Sequence, residues 1–562
     1  MHFMLRQLVA VFAAATLVGA QAAEPVLIHN ARGLTLDAHG HVQRFEALLT
    51  DAEGRVKAIG KLAQLQAQAQ GARRIDAQGR VLMPGLIDAH GHMLDLGLTR
   101  QRLELRETPD LAAALAAVKA YAAAHPDAAW LLGNGWNQAI WKLGRFPTAA
   151  ELDSAESARP VWLSRVDGHA GWANHRALAI AGITRDTPDP AGGRIERDAN
   201  GEPTGVLVDA AQDLVDKHVP ASSAAETRAA LEAAQDELLS LGLTGIADAG
   251  IDEGVDRELR AMARSGRLKL RVDAMARASD TGLIATLRMS GPVQPMAEGL
   301  YSLRAVKVFA DGALGSRGAA LLAPYSDAPQ TRGLLFHTDA EMQALIRPLV
   351  AQGFQINVHA IGDAANRQVL DAFDAMKREF GEKSVRLRHR IEHAQVIALA
   401  DIPRFAALGV IASVQPTHAT SDMNMAESRI GPQRIQGAYA WQRLLKSGAR
   451  LACGSDFPVE EPTPWAGLYA AVTRQDASGQ PPGGWYGAQA LTRVQALACF
   501  TTGATYAAHR EDELGSLTPG HRADFLLVDQ DPLQASPQAL LKTRVLQTWV
   551  GGRLAYTAED RR

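Results

Sequence analysis

The sequence predicts an α/β protein built around a (β/α)8 barrel of the TIM type, with a small β-sandwich made from both chain ends and an inserted domain after barrel strand one. Three observations lead to this fold class. Short apolar segments alternate with amphipathic segments through the middle of the chain, short β-type runs occupy both ends, and one long stretch interrupts the alternation. Strands that alternate with helices indicate a parallel sheet, and eight such units indicate a closed barrel.

The first 22 residues have the pattern of a secretory signal peptide. Arg6 precedes an apolar run at 8–20, and Ala20, Gln21 and Ala22 form a typical cleavage site. The run is shorter than the about 20 residues that a membrane-spanning helix needs, which argues against a permanent anchor. We therefore expect cleavage after Ala22, export to the periplasm and no stable membrane insertion afterwards.

Both chain ends carry short β-type runs separated by turn residues. Near the beginning these include "EALLTDAEGRVKAIG", and near the end "GSLTPGHRADFLLVDQDP". Such runs with intervening turns are typical of antiparallel strands, and neither end supplies enough strands for a stable structure alone. We therefore predict that residues 23–84 and 510–562 together form one composite β-sandwich.

Residues 85–509 have the alternating pattern of the barrel. The first strand runs into "PGLIDAHGHMLDLG" at 84–97, and seven further strand-like segments begin near residues 243, 268, 303, 354, 385, 409 and 449. The stretch at about 100–235 lies between the first and second strands and is too long for a barrel loop. We predict that it forms an inserted domain at the mouth of the barrel.

Chemically active side chains stand at the ends of several predicted strands. His90 and His92 are two residues apart in an extended segment, so both imidazoles point the same way. The further strand-end residues are Lys307, His359, His393 and Asp456. The carboxyl ends of barrel strands meet at one face, so these groups are expected to converge. Together they form a ligand set for a divalent ion such as zinc.

Each of these residues also has an ordinary structural explanation when taken alone. His359 and His393 could be hydrogen-bonded core residues, and Asp456 could cap a helix. Lys307 could extend to solvent or pair with Asp311. One shared metal site explains the four matching strand ends better than four separate structural explanations do. The pattern therefore favours a metal site.

Composition limits the partners that we expect. The formal net charge of −3 gives no electrostatic reason to expect binding to nucleic acid or to anionic membranes. The expected partner is a small-molecule substrate, and a homodimer is left open. The two cysteines, Cys453 and Cys499, lie in apolar segments, so we expect two buried small side chains rather than a disulfide or a zinc–thiolate site.

The ordered series of motifs resembles the amidohydrolase superfamily. The motifs are "PGLIDAHGHMLDLG", "VKVFADGALGSRGA", "NVHAIGDAAN", "RIEHAQ", "SVQPTH" and "GSDFPVE". Within that superfamily the chain is similar to the branch that contains N-substituted formamide deformylases. The similarity covers nearly the whole mature chain, including "LGNGWNQAIW" in the insertion and "GSLTPGHRADFLLVD" in the tail. Such a series is specific for the family and says little about the substrate.

The resemblance implies a role for each strand-end residue. His90 and His92 would bind one metal ion. His359 and His393 would bind a second ion, or the substrate if only one ion is present. Asp456 would contact metal and move a proton, so the implied catalytic residues are Asp456, His359 and His393. Lys307 stands where many members carry an N-carboxylated lysine that bridges two ions, and we leave open both this modification and the ion count, one or two.

The insertion and the loop after strand seven are expected to contact the substrate. The expected substrate-binding residues are Trp136, Asn137, His169, Gln415 and His418. For Trp136, packing in the core of the insertion is the alternative. Asp311, Arg390 and Glu392 are expected to support and orient the ligands.

The resulting functional prediction is a metal-dependent hydrolase that cleaves a C–N bond of the amide, N-formyl or N-acyl type, other than a peptide bond, with metal-activated water. Because a barrel does not determine its substrate, esters, lactones and carbamates are alternatives, as is deamination. A nonhydrolytic isomerase or decarboxylase could use the same site. A binding or regulatory protein on an inactive scaffold would be expected to lack a ligand, and none is missing from the sequence.

Overall fold

The computed structural model describes residues 23–37, 39–138, 140–166, 168, 170–190 and 193–559. The predicted signal peptide at 1–22 lies outside the described residues, so export stays a prediction. Within these described ranges, no helix combines the length and the apolar character that crossing a membrane requires.

Seven short strands begin the described chain, and four of them form a sheet of their own. The strands are β1 (Val26–His29), β2 (Arg32–Leu36), β3 (Val42–Phe45), β4 (Ala47–Thr50), β5 (Val56–Gly60), β6 (Arg73–Asp76) and β7 (Val81–Pro84), with helix α1 (Leu62–Leu65) after β5. The first sheet has the order β5-β4-β1-β6. Strands β2, β3 and β7 belong to a second sheet.

The first barrel strand, β8 (Leu86–Gly91), is buried along its whole length. The inserted domain follows it and contains its own six-stranded sheet, in the order β13-β14-β12-β11-β10-β9. Its strands are β9 (Leu103–Glu104), β10 (Leu131–Trp136), β11 (Val161–Arg165), β12 (Ala170–Ala173), β13 (Gly193–Arg197) and β14 (Pro203–Asp209). The helices of this region are α2 (Met93–Gln101), α3 (Leu111–Ala124), α4 (Ala149–Asp153), α5 (His175–Ala181) and α6 (Asp213–Asp216).

Helix α7 (Ala224–Ser240) lies where the sequence predicts the end of the insertion, at about residue 235. Its Leu231 and Leu238 are buried in the same apolar core as the barrel strands. The helix is capped by Ser223, whose hydroxyl accepts from the Glu226 backbone N–H in a capping box. Helix α7 therefore packs on the barrel.

The barrel sheet contains the eight parallel strands that the sequence predicts. After β8 come β15 (Leu243–Ile251), β16 (Arg271–Arg277), β18 (Tyr301–Phe309), β19 (Gln355–Ala360), β20 (Arg390–His393), β21 (Ile411–Val414) and β22 (Arg450–Cys453), while β17 (Val293–Met296) pairs antiparallel with β18. They lie in the order β8-β15-β16-β18-β19-β20-β21-β22, and β22 returns to contact β8. The predicted barrel is therefore confirmed.

Helices surround the barrel and connect its strands. They are α8 (Glu253–Ser265), α9 (Thr281–Ser290), α10 (Asp339–Gln352), α11 (Asp363–Phe380), α12 (Glu382–Arg386), α13 (Ile402–Leu408), α14 (Pro416–Asp422), α15 (Ala426–Arg434), α16 (Trp441–Lys446), α17 (Pro464–Thr473), α18 (Arg493–Ala498), α19 (Ala504–Ala507) and α20 (Pro537–Leu541). Their apolar faces share one core with the outward side of the strands.

The last strands of the chain complete the second sheet of the sandwich. They are β23 (Phe525–Val528), β24 (Val545–Val550) and β25 (Arg553–Thr557), and the sheet order is β25-β24-β23-β7-β2-β3. Ile28 and Leu48 of the first sheet share a buried cluster with Phe525 and Trp549 of the second. Both chain ends therefore contribute to one β-sandwich, as the predicted fold class has it. The exact domain limits stay predictions.

The two cysteines form a disulfide, which corrects the sequence-based expectation of separate side chains. Cys453 ends β22, and Cys499 begins a short π-helix at Cys499–Gly503 that packs on the same strand. Their Cα atoms are 5.1 Å apart although 46 residues separate them in sequence. Each segment is apolar as expected, but pairing depends on a contact between a strand and a distant helix.

Candidate metal centre

The histidine of the first barrel strand is held by a carboxylate from the sixth. His90 Nδ1 lies 2.5 Å from Glu392 Oε2, and both side chains are fully buried. Arg390 Nε lies 2.7 Å from the other oxygen of Glu392. An Nη atom of Arg390 also donates to the Ala89 carbonyl and to Ser413 Oγ. This network fixes the ring of His90, so that its Nε2 faces the barrel mouth.

Asp456 stands opposite these histidines, just beyond the eighth strand. Its Oδ1 lies 3.1 Å from His92 Nε2 and 3.4 Å from His90 Nε2, and its backbone N–H donates to the His90 carbonyl at 2.7 Å. Donor atoms of His90, His92 and Asp456 all lie within 4.8 Å of one another. This set is one candidate position for a metal ion.

A second set shares the same carboxylate. Donor atoms of His393, His418 and Asp456 also lie within 4.8 Å of one another. His418 Nε2 is 3.7 Å from Asp456 Oδ2, and it is buried without a hydrogen-bond partner among the described residues. The sequence assigned His418 to substrate binding alone, whereas its position also makes it a potential ligand. Asp456 therefore lies between two adjacent groups of imidazoles.

Gln415 supports His393. The Gln415 side-chain oxygen lies 2.9 Å from His393 Nδ1, so it accepts the Nδ1 proton and leaves Nε2 of His393 toward the centre. Gln415 is itself almost fully buried, and its side-chain amide nitrogen has no hydrogen-bond partner among the described residues. The predicted contact between Gln415 and substrate stays a prediction.

His359 lies at the edge of the cluster. Its ring centroid is 4.5 Å from that of His393, but it belongs to neither of the two close donor sets. His359 Nε2 lies 3.7 Å from Asp311 Oδ1 and is buried without a hydrogen-bond partner among the described residues. Asp311 accepts backbone N–H groups of Ala320, Ile361 and Gly362, and so fixes the segment that follows the strand of His359.

Lys307 reaches the centre from the fourth strand. It is 1% exposed, and its Nζ lies 3.1 Å from His90 Nε2. Burial lowers the pKa of Lys307 to about 8, so a larger share of its amine is neutral near neutral pH than in an exposed lysine. The position beside His90 is the one in which the sequence-based hypothesis places a bridging, modified lysine.

Electrostatics prepare the imidazoles and the carboxylate as metal ligands. Burial lowers the pKa of His90 to about 4 and that of His359 to about 3, and it holds the pKa of His393 well below its usual range. Burial alone would raise the pKa of Asp456, but the neighbouring histidines, His90 foremost, hold it well below its usual range. Burial alone would lower the pKa of His92, but Asp456 conversely raises it. The neutral imidazoles of His90, His359 and His393 beside an ionised carboxylate are donor types that zinc and similar ions bind.

The backbone at two of these residues is strained. His393 has φ of 72° and Asp456 has φ of 63°, in the left-handed region that non-glycine residues rarely adopt. Such conformations cost on the order of 1–3 kcal/mol each and persist where surrounding structure enforces them. The strain turns both side chains toward the shared space at the barrel mouth.

Sequence reasoning did not assign a role to one buried carboxylate of the centre. Asp88 accepts from the Ser455 hydroxyl at 2.7 Å and from the backbone N–H groups of Ser455 and His90. It thereby ties the end of the first strand to the loop after the eighth, which carries Asp456. Its position two residues before His90 in a wholly buried strand was the available signal.

The residues of the insertion that the sequence predicts to contact substrate lie in different surroundings. Trp136 is fully buried, its indole N–H donates to the Leu163 carbonyl at 2.8 Å, and it meets Trp172 edge to face. The alternative therefore holds, and Trp136 is a core residue of the insertion rather than a wall of the site. Asn137 follows β10 and is half-buried, so its contact with substrate stays a prediction. His169 lies outside the described residues.

Comparison with known proteins agrees with this geometry. The sequence profile of the amidohydrolase family matches residues 73–556. The putative amidohydrolase YtcJ of Bacillus subtilis (strain 168) is 33% identical over 522 residues, covering 91% of this chain and 96% of that protein. The N-substituted formamide deformylase of Arthrobacter pascens is 29% identical over 546 residues, covering 94% and 98%. The crystal structure of an uncharacterized metal-dependent hydrolase from Pyrococcus horikoshii OT3 aligns with a TM-score of 0.77 at 26% identity, covering 92% and 99%. This chain belongs to the amidohydrolase family.

Proposed function

We propose that this protein hydrolyses a C–N bond of the amide, N-formyl or N-acyl type, other than a peptide bond, at a divalent metal centre. The observation that carries the proposal is Asp456, one carboxylate with a pKa held well below its usual range and shared by two sets of imidazoles. Among the relatives, the N-substituted formamide deformylase supports the proposed reaction, because its similarity extends over 94% of this chain. The imidazole donors favour zinc over a harder ion such as magnesium.

The residues divide naturally into two binding positions. His90, His92 and Asp456 would hold one ion, while His393 and His418 would hold a second beside the same carboxylate. An ion bound here would supply a Lewis acid that lowers the pKa of water and polarises a carbonyl. The orphaned Nε2 atom of buried His418 fits this use, because an unpaired polar atom in a dry site is costly.

Asp456 is the group that moves the proton in this proposal. Its carboxylate is ionised before the reaction and so can accept a proton from the attacking water. It can then donate that proton to the nitrogen as the C–N bond breaks, because an amine leaves readily only when protonated. If only one ion binds, His393, oriented by Gln415, and His359 would hold the carbonyl side of the substrate.

Lys307 is the proposed site of N-carboxylation. Carbon dioxide adds to a neutral amine and releases a proton, and the lowered pKa of Lys307 favours the neutral form. The resulting carbamate oxygens would lie beside His90, since Nζ is already 3.1 Å from its Nε2. A carbamate there would replace a cation by an anion beside His90, which would favour the binding of a divalent ion.

Export to the periplasm is part of the same proposal. The basic start and apolar run at 1–22 support it, and a buried disulfide between Cys453 and Cys499 suits an oxidising compartment. N-terminal sequencing of protein from the native host should begin at or near Ala23. An intact Met1 on protein from the cytoplasm would contradict export.

The reaction is tested by metal analysis followed by a substrate panel. Purified protein should contain one or two divalent ions per chain and should hydrolyse N-formyl or N-acyl amines in preference to matched esters, lactones and carbamates. His90→Asn should lose metal and activity, whereas His218→Asn on the exposed surface should keep both. Preferred turnover of an ester or a lactone would contradict the proposed bond type.

A further inference from the structure

Arg277 lies at the barrel mouth and takes no part in the metal centre. It is the last residue of β16, and it pairs in register with Lys307 of β18. Residues in register on neighbouring parallel strands project to the same face of the sheet. Arg277 therefore points to the same side as Lys307, whose Nζ reaches His90.

The guanidinium of Arg277 has further N–H donors besides the one that binds backbone. Its Nε donates to the Gly250 carbonyl at 3.2 Å, which orients the group across the ends of the second and third strands. A side chain on Gly250 would meet Arg277 Nε at 3.9 Å and Lys307 Cγ at 3.6 Å, so the side chains of Arg277 and Lys307 flank one point. Arg277 is exposed, and in the described part of the chain it forms no ion pair. Its two Nη groups are thus able to bind a carboxylate in a forked arrangement.

Phe309 offers an apolar surface at the same mouth. It follows Lys307 by two residues on β18, so its side chain projects to the same face. Its ring centroid lies 5.2 Å from the ring of His359 and 4.9 Å from Lys307 Nζ. The residue is nevertheless 38% exposed, which is unusual for a phenylalanine packed beside buried groups. A bound apolar group could cover this ring and displace water from it.

From this juxtaposition we infer the substrate class: an amide that bears a carboxylate close to the scissile bond together with an aryl or alkyl group. The carboxylate binds Arg277, and the apolar group packs on Phe309. The inference rests on the proposed C–N hydrolysis and adds to it the two recognition contacts. A neutral substrate that filled the mouth would remove water from Arg277 without supplying an anion, which carries a desolvation cost.

A pair of substrates that differ only in the carboxylate tests the inference. N-acetylphenylalanine, as both enantiomers, is compared with N-acetyl-2-phenylethylamine on the metal-loaded protein. The native protein should have a kcat/KM roughly 10- to 100-fold higher for one enantiomer of the acid, as expected for a charge-assisted forked contact. Arg277→Gln should remove most of this preference while changing kcat/KM for the neutral amide by less than about 3-fold. Arg264→Gln, on the exposed face of α8, is the matched control and should change neither.

The contact between Phe309 and the apolar group of the substrate is tested by replacing Phe309 with alanine and measuring turnover of N-acetylated amino acids. Phe309→Ala should lower kcat/KM for N-acetylphenylalanine by about 10-fold and leave N-acetylalanine nearly unchanged, since only the phenyl group loses its contact. Binding gives a readout that is independent of turnover. The acid should raise the melting temperature of the native protein more than the neutral amide does, and Arg277→Gln should abolish this difference.

The outcomes separate this inference from the proposed function. The recognition role of Arg277 would be overturned if the native protein hydrolysed the neutral amide at the same rate as the acid. It would also be overturned if Arg277→Gln lowered kcat/KM equally for both substrates. Either result would leave the proposed C–N hydrolysis intact. An absence of turnover for every amide tested, in protein that contains its metal, would overturn the proposed function and the substrate class with it.

Discussion

The Nδ1 atom of His90 lies 2.5 Å from Oε2 of Glu392, although 302 residues separate them in sequence. This contact determines which nitrogen of His90 faces Asp456 and Lys307, and Arg390 in turn holds Glu392 in its ionised form. Burial alone would raise the pKa of Glu392, but Arg390, His90 and Lys307 hold it well below its usual range. The ligand is thus oriented by a charge network that extends below the site.

Glu392→Gln should weaken metal binding while leaving the fold intact. The amide has almost the same volume, but it is a weaker acceptor for the His90 proton and leaves the Arg390 charge without its partner. Loss of such a support typically lowers metal affinity or activity by about 10- to 100-fold. Competition with a chromogenic chelator measures the affinity. Glu382→Gln on the exposed helix α12 is the control, and native affinity in Glu392→Gln would show that the contact does not matter.

Asp456→Asn should separate metal binding from catalysis. An amide oxygen can still coordinate an ion weakly, but it cannot accept and return a proton. We expect most of the fold and some metal to be retained, and turnover to fall by at least about 10²-fold. Turnover on the best amide substrate, normalised to bound metal, is the measurement. A near-native rate would refute the role given to Asp456.

Lys307→Ala should lose both metal and activity, because the lysine Nζ lies 3.1 Å from Nε2 of the proposed ligand His90. If Lys307 acts as a carbamate, short carboxylic acids added to the variant should restore part of the activity by filling the space with an anion. Mass spectrometry under non-denaturing conditions should also detect the added carboxyl group on the native protein. Full metal content and turnover in Lys307→Ala would exclude it as a ligand.

Replacing the cysteines should lower stability and leave the metal centre assembled. The disulfide joins Cys453, three residues before Asp456, to Cys499, and closing a loop of this size contributes about 2–4 kcal/mol. Cys453→Ser with Cys499→Ser should melt at a lower temperature than the native protein. Thiol titration of the denatured native protein should find no free thiols before reduction and two after it. Two free thiols without reductant would contradict the disulfide.

His389 should make stability depend on pH. Burial of the His389 ring lowers the pKa of His389 to about 3 from 6.5. The Ile356 backbone N–H donates to Nδ1 of the same ring. Below pH 6.5 the unfolded chain binds a proton at His389 that the folded chain excludes. The contribution of His389 to the free energy of unfolding is therefore fully present above pH 6.5. As the pH falls from 6.5 toward 3, this contribution is lost at up to about 1.4 kcal/mol per pH unit.

His389→Gln should therefore flatten the fall in melting temperature between pH 7.5 and pH 5.5. The amide oxygen can still accept from Ile356, but the residue no longer titrates. His218→Gln on the exposed surface is the control and should keep the native slope. Equal slopes in the native protein and His389→Gln would mean that other groups cause the acid sensitivity.

The barrel was predictable because its information is local. Each strand is a short apolar run, and the alternation of His90 and His92 places both rings on one face without reference to any other part of the chain. The position of Asp456 followed from the same rule, since the carboxyl ends of parallel strands meet at one rim. Local pattern is therefore enough to predict that these side chains converge at one rim, where donor atoms of His90, His92 and Asp456 lie within 4.8 Å of one another.

What the sequence left undetermined depends on contacts between distant segments. The pairing of Cys453 with Cys499 requires a π-helix to pack on the eighth strand, and no local feature of either segment reveals it. Trp136 looked like a binding residue because tryptophans are common in sites, yet its neighbours in the insertion bury it. The orienting role of Gln415 likewise depends on His393, which lies 22 residues away on another strand.

The most direct test of the metal centre is an anomalous diffraction measurement on crystals of the purified protein, collected on both sides of the absorption edge of the metal found by elemental analysis. The account predicts a peak within about 2.0–2.3 Å of the ligand atoms of His90, His92 and Asp456. If a second ion binds, a second peak should lie beside His393 and His418. A metal peak elsewhere in the molecule, with these side chains bonded only to one another, would contradict the account.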